Sequence, residues 1–499
     1  MDFRAYFEQR GQLPSSTLLQ DLGNLSDDDN YWPGQVPETF TWADFPDAVA
    51  VDDVPDEILR LIFEAGVADD SLSYASSISR SSGFPRTLTY ASSYSSGSSI
   101  VPFQVLVSHV CRRWRAAALG DSFLWRRLHI AAGHTMDEVQ SYLERSGEQP
   151  LDVKIDFALD DAHRDLGDPL ERPRALVPSH DVRVLAAAAA RHAGRWACCT
   201  LEGFPGTSCD LITEWLDGLA LLRLRCLTFS SSAPSPQLRM DAPALAHLAL
   251  PLFGRSGVPA GLLHGALCTL ELQSGWLDAA LLRDILKACP QLHTLRLIHI
   301  TILESAGLDA PSLRYLDVSG VTDPAKLLSV LHAPALEALL LIQCRGALLP
   351  TESPTGDALF PALRALCSEN CNHSVEELDI MMTFSGLEHL GLAPVTLANM
   401  LPRMEGKDDI WPRLHTLHST FEDELGLFID SRIAAGRPLR AIYLLSISQI
   451  SWRIVLDTWS EKVPNICNFP YSQHETLPGC DCRGLGLMFG CFWPLENAA

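Results

Sequence analysis

Pro290-Gln291-Leu292-His293-Thr294-Leu295-Arg296-Leu297 and, 21 residues on, Pro311-Ser312-Leu313-Arg314-Tyr315-Leu316-Asp317-Val318 set the pattern by which this chain is read. In each, a proline and one further residue introduce Leu-x-x-Leu-x-Leu, with an apolar substitute allowed. The template begins at Leu224, Leu245, Leu267, Leu292, Leu313, Leu336, Leu363, Leu387, Leu414 and Leu439, and successive starts lie 21 to 27 residues apart. Alternation inside the template predicts a short strand with one buried face. The prolines at 243, 290, 311, 334, 361 and 412 are expected to end the preceding helix and open an edge.

This period falls in the range of about 20 to 29 residues that marks leucine-rich repeats. Each such unit buries its leucines only against its neighbours, so the expected fold is an α/β solenoid, a curved parallel sheet with outer helices. Helices are expected at Ala279 to Ala288, Ala325 to Leu331 and Glu424 to Ala435. The Asn or Cys that usually follows the template is mostly missing, and only Cys344 and Cys371 fall near its place. If the template leucines face inward, the residue between the last two faces the concave side. That row holds Glu271, Arg296, Asp317, Leu340, Gly391, His418 and Tyr443. Its mixed chemistry suits a protein ligand, with Glu271, Arg296, Asp317, His418 and Tyr443 the candidate target-binding residues.

Working back toward the amino terminus, Met136 to Ser146 and Val182 to His192 carry helical periodicity, and Pro150 to Asp156 and Trp196 to Leu201 read as strands. Before these stand two amphipathic pieces. The first is Val54-Pro55-Asp56-Glu57-Ile58-Leu59-Arg60-Leu61-Ile62-Phe63; the second is Val105-Leu106-Val107-Ser108-His109-Val110-Cys111-Arg112-Arg113-Trp114-Arg115, continued through Ala116-Ala117-Ala118 to Leu124-Trp125-Arg126-Arg127-Leu128. They make too small a core to stand alone.

At these residues the chain resembles an F-box, whose pattern is a Pro-acid-Ile/Leu-Leu-x-x-Ile-Phe helix, then Val-Cys-Arg-x-Trp-Arg, then Leu-Trp-x-x-Leu. The Ser-rich stretch 71–99, composed unlike a core, separates the two pieces and departs from the family pattern. The resemblance implies the substrate-receptor subunit of an SCF-type cullin-RING ubiquitin ligase. In such a subunit the F-box docks on a Skp-type adaptor tied to a cullin scaffold, and the repeats hold a protein target. Carried over by residue, Pro55, Ile58, Leu59, Ile62, Val110, Cys111, Trp114 and Trp125 would bind the adaptor. His109, Arg112, Arg113, Arg115, Arg126 and Arg127 form a basic face suited to an acidic protein partner. A scaffold that uses the same repeats without any ligase fits the sequence too.

The organisation expected is an acidic, disordered arm over 1–50, an F-box-like helical domain over 51–130, the solenoid over 131–450 and a cap over 451–499. The cap is rich in Trp452, Trp459, Phe492 and Trp493. A net charge of −23 argues against nucleic-acid binding. No secretory leader is expected, no apolar run reaches about 20 residues, and fourteen scattered cysteines suit reduced thiols. The expectation is a protein of the cytoplasm or nucleus, without membrane or cofactor.

Local catalytic signatures are absent: there is no Gly-x-Ser-x-Gly, no Gly-x-x-x-x-Gly-Lys, no His-Glu-x-x-His and no Gly-x-Gly-x-x-Gly after a strand. Asp156, Asp160, Asp161 and His163 read as a solvated acidic loop, since calcium-loop spacing is missing. Cys467, His474, Cys480, Cys482 and Cys491 lack paired zinc hooks and read as free thiols. No metal and no enzymatic role is expected.

Overall fold

The computed structural model describes residues 54–66, 103–131, 134–157, 180–202, 216–230, 240–252, 258, 260–303, 307–350, 359–404, 410–419, 423–445 and 459–469. Met1–Pro55 and Asp56–Ala499 are separate compact units, and only Val54 and Pro55 of the former are described. The expected arm, the Ser-rich stretch, the 158–163 acidic loop residues and the terminal residues from 470 on lie outside the described residues.

The larger unit is built on one parallel sheet. Its strands are β1 Arg127–Ile130, β2 Leu151–Asp156, β3 Trp196–Glu202, β4 Cys226–Ser230, β5 His247–Pro251, β6 Thr269–Leu277 and β7 Thr294–Ile302. The remainder are β9 Tyr315–Ser319, β11 Ala338–Ile342, β12 Ala365–Glu369, β13 His389–Leu392, β14 Thr416–Ser419, β15 Ala441–Leu445 and β16 Asn465–Phe469; β8 Leu308–Asp309 and β10 Leu331–His332 pair separately. Sequence order is spatial order throughout the fourteen strands, as a solenoid requires. This is the α/β leucine-rich-repeat-like fold that the period implied.

All ten template leucines are no more than 2 % exposed, and a strand begins two residues after each of them. A turn sets that offset. Leu245 N–H bonds the Ala242 carbonyl at 3.0 Å, and Leu292, Leu313, Leu336, Leu363 and Leu414 repeat the bond to Cys289, Ala310, Ala333, Phe360 and Trp411. The preceding proline therefore occupies the second position of a β-turn, where its fixed φ is already correct. This corrects the expectation that proline chiefly ends a helix.

Helices Ala279–Ala288, Val375–Thr383, Pro394–Met404 and Asp423–Ala434 join successive strands. Leu282, Ile285, Leu378, Met381, Leu397, Met400, Leu425 and Phe428 share one continuous core with the inward leucines. The helix expected at Ala325 to Leu331 is the shorter Pro324–Leu328. Glu377 closes a capping box with Ser374 and accepts the N–H groups of Leu348 and Leu349 from the repeat before. A buried carboxylate thus ties two repeats, with each contact charge-assisted.

Ahead of β1 a helix spans 56–66, started by Pro55 and by acids in its first turn. Leu59 and Phe63 are fully buried, and Phe63 meets Trp114 edge to face at 5.2 Å. Trp114 belongs to the helix Arg112–Gly120, capped by Cys111 Sγ. Trp125 fastens this unit to the sheet: its Nε1 donates to the Ala118 carbonyl at 2.8 Å, and its ring packs on Tyr142 of the helix Met136–Arg145. The sheet begins at Arg127, inside the stretch that the sequence assigned to the helical domain.

Candidate functional site

Two surfaces carry the residues singled out in the sequence. The first is the sheet face turned away from the core. Strand register aligns one residue per strand: His129, Lys154, Thr200, Thr228, Ala249, Glu271, Arg296, Asp317, Leu340, Cys367, Gly391, His418, Tyr443 and Cys467. The five candidate target residues do lie on this one row. Cys367 was missed because Ser368 replaces the last template leucine in its strand.

The row changes character along its length. Lys154 pairs with Glu202 at 2.9 Å. In the middle, Arg296 Nη1 donates to Glu271 Oε2 at 2.6 Å and Arg296 Nε to Asp317 Oδ2 at 3.0 Å. Ser319 Oγ adds a bond to Asp317 Oδ1 at 2.5 Å. The two flanking carboxylates hold the Arg296 guanidinium above its ordinary range, against the opposing effect of burial. Glu271 and Asp317 are buried and committed to Arg296, so they shape the face rather than present free charges. Beyond them the buried Leu340 and Cys367 form a small apolar cluster with half-buried Ile342, and His418 stacks on Tyr443 at 4.5 Å. His418 is buried and Tyr443 half-buried.

The second surface is the helical unit. Ile62 and Val110 are 44 % and 58 % exposed, and Leu61 and Leu106, not singled out in the sequence, are also exposed. Pro55 is exposed, while Ile58, Cys111 and Trp114 are half-buried. Leu59 and Trp125 are buried and serve packing, which corrects their assignment to adaptor contact. The basic face is likewise more committed than expected. Arg113 pairs with Asp56 at 2.7 Å, Arg126 and Arg127 approach Asp152, and Arg115 Nε donates to the Ser108 carbonyl at 2.7 Å.

Among the described residues one group of metal-type donors converges, Glu388, His389 and His415, with ligand atoms within 4.8 Å of one another. Burial and the nearby His415 lower His389 to about 4. Burial, then Arg440, lowers His415 as well. No described helix is long and apolar enough to cross a membrane.

No family model matches the chain, and no curated protein matches it. Among solved structures it is similar to a chain of the mouse RP105/MD-1 complex, with 14 % identity and a TM-score of 0.32 over 54 % of this chain. The match spans 50 % of that chain; a likeness so low carries no functional weight.

Proposed function

We propose that this chain is the substrate-recognition subunit of an SCF-type cullin-RING ubiquitin ligase. The helical unit ahead of β1 binds a Skp-type adaptor linked to a cullin, and the sheet face turned away from the core holds a protein target. The chain itself makes and breaks no bonds; it raises the local concentration of a target lysine near a separate conjugating enzyme. The observation that carries this reading is the exposure of Leu61, Ile62, Leu106 and Val110 on a unit too small to afford wasted apolar surface. The mixed chemistry of the row from Glu271 to Tyr443, spread over eight strands of the sheet, supports a protein partner over a small molecule.

Co-purification with a Skp-type adaptor and cullin tests it. Ile62→Asp combined with Val110→Asp should abolish adaptor capture while leaving thermal melting unchanged. Retained capture, or no capture by the unaltered chain, would sink the ligase reading and leave a repeat scaffold.

A further inference from the structure

A feature outside both surfaces lies along the edge where the strands begin. The residue preceding each strand forms a second ladder, in which the main-chain N–H of Glu337, Arg364, Glu388, His415 and Arg440 bonds the carbonyl of Arg314, Glu337, Arg364, Glu388 and His415 in turn. Its side chains alternate in sign from Arg314 to Glu388, and Arg314 pairs with Glu337 at 2.7 Å. After Glu388 the alternation stops. His415 and Arg440 follow, and a cleft of about 520 Å³ opens there, walled by Arg413, Arg432, Arg437 and Arg440 with Glu388 as its one carboxylate.

Four guanidiniums around one carboxylate invert the charge of a chain with 38 basic and 61 acidic residues. Asp379 is paired with Arg403 and Asp430 with Lys462. Among the described residues no salt bridge joins Arg413 or Arg440 to a carboxylate. Arg432 already serves the fold, being 4 % exposed and donating to the carbonyls of Ile410, Trp411 and Leu414. It also lies in the last turn of Asp423–Ala434, where a cation offsets the helix dipole. Neither role explains Arg413 and Arg440, which come from a turn and from the position just before β15 and are exposed. The Glu388, His389 and His415 donors would suit a transition metal, but a surplus of fixed positive charge around them opposes a cation.

We propose that this cleft binds a doubly charged oxyanion of the phosphate class, contacted by Arg413 and Arg440, with buried Arg432 supplying fixed positive charge behind them. Guanidinium matches phosphate oxygens through paired N–H donors. The site is separate from adaptor binding, so substitutions on the helical unit leave it intact.

Calorimetric titration of the full chain with inorganic phosphate and with pyrophosphate, against chloride at matched ionic strength, tests the assignment. Saturable binding is expected, weakened about tenfold or more by Arg413→Ala and by Arg440→Ala and unaffected by Arg223→Ala outside the cleft. Melting temperatures of the two cleft variants should match the unaltered chain, since both side chains are exposed. A phosphoserine peptide, compared with its unphosphorylated form and with free phosphate, distinguishes a protein-borne ligand from a small soluble one; tighter binding of either sustains the site. A response no greater than that to chloride, binding indifferent to both arginines, or saturation by zinc without phosphate binding would overturn it.

Discussion

The main-chain N–H of Cys344 donates to the thiol of Cys371, 3.3 Å away on the following repeat. Cys344 Sγ in turn donates to the Val318 carbonyl at 3.0 Å and Cys371 Sγ to the Leu341 carbonyl at 3.4 Å. Thiols here satisfy the main chain where strands end, the place at which the sequence put the missing Asn or Cys. Cys371→Ala should lower unfolding free energy by about 1–3 kcal/mol, because it strands a buried donor. Cys371→Ser, which keeps an acceptor, should cost less. Urea denaturation resolves the two, and equal midpoints would show the contact to be idle.

Arg296 neutralises two carboxylates on the sheet face. Arg296→Ala leaves Glu271 and Asp317 buried without the cation that lies between them and should cost about 3–5 kcal/mol. Replacing all three together, as Glu271→Leu, Arg296→Met and Asp317→Leu, should be near neutral, since the desolvation cost vanishes with the charges. Denaturation midpoints of the two variants test the contrast; similar losses would argue against it.

Ser274, His299, Gly320, Gln343 and Asn370 all have φ between 50° and 64°, at the same position in five consecutive repeats. Only Gly320 is free of the left-handed penalty. Gln343→Gly should therefore stabilise by about 0.5 kcal/mol. Gly320→Ala should destabilise, because a Cβ there would fall 2.1 Å from His299 Nδ1. Calorimetric melting gives both signs.

His389 is held at about 4, below its ordinary 6.5, and burial does the same to His129. An imidazole that resists protonation when folded but accepts a proton when unfolded stabilises the fold fully above about pH 6.5. That contribution is lost as pH falls from about 6.5 through 4, by up to about 3 kcal/mol per group. His389→Gln should flatten part of this decline in urea melts between pH 7.5 and 4.5, and an unchanged slope would exclude His389 as its source.

Leu59 and Ile62 are three residues apart on one helix and differ wholly in exposure. Leu59→Ala should cost about 2–5 kcal/mol and Ile62→Ala within about 0.5, read by hydrogen exchange of the helical unit. Equal effects would mean that Ile62 too is a packing residue.

The strands from β4 to β15 in the long sheet were legible because a two-residue offset ties each to a template leucine; of their outward residues Thr228 and Ala249 were overlooked although the template marks them, and Cys367 because Ser368 has replaced a leucine. The helices Val375–Thr383 and Pro394–Met404 were passed over, although Ser374 and Glu377 carry a capping-box signature. Which of two apolar neighbours turns inward was not local information: Phe63 is covered by Trp114, about fifty residues away across the Ser-rich stretch. The arginine cleft is less legible still, since its walls come from different repeats and meet only through strand order.

Because β1 follows Trp125 directly, no flexible tether separates the helical unit from the sheet. Adjacent strands lie about 4.8 Å apart, so the ladder from His129 to Cys467 measures roughly 60 Å. The sheet is thus a graduated ruler whose zero mark is bolted to the helices. Excising one whole repeat ahead of Glu271 would bring everything beyond it about 5 Å closer to the helical unit while keeping the row from Glu271 to Tyr443, which makes reach adjustable separately from those residues.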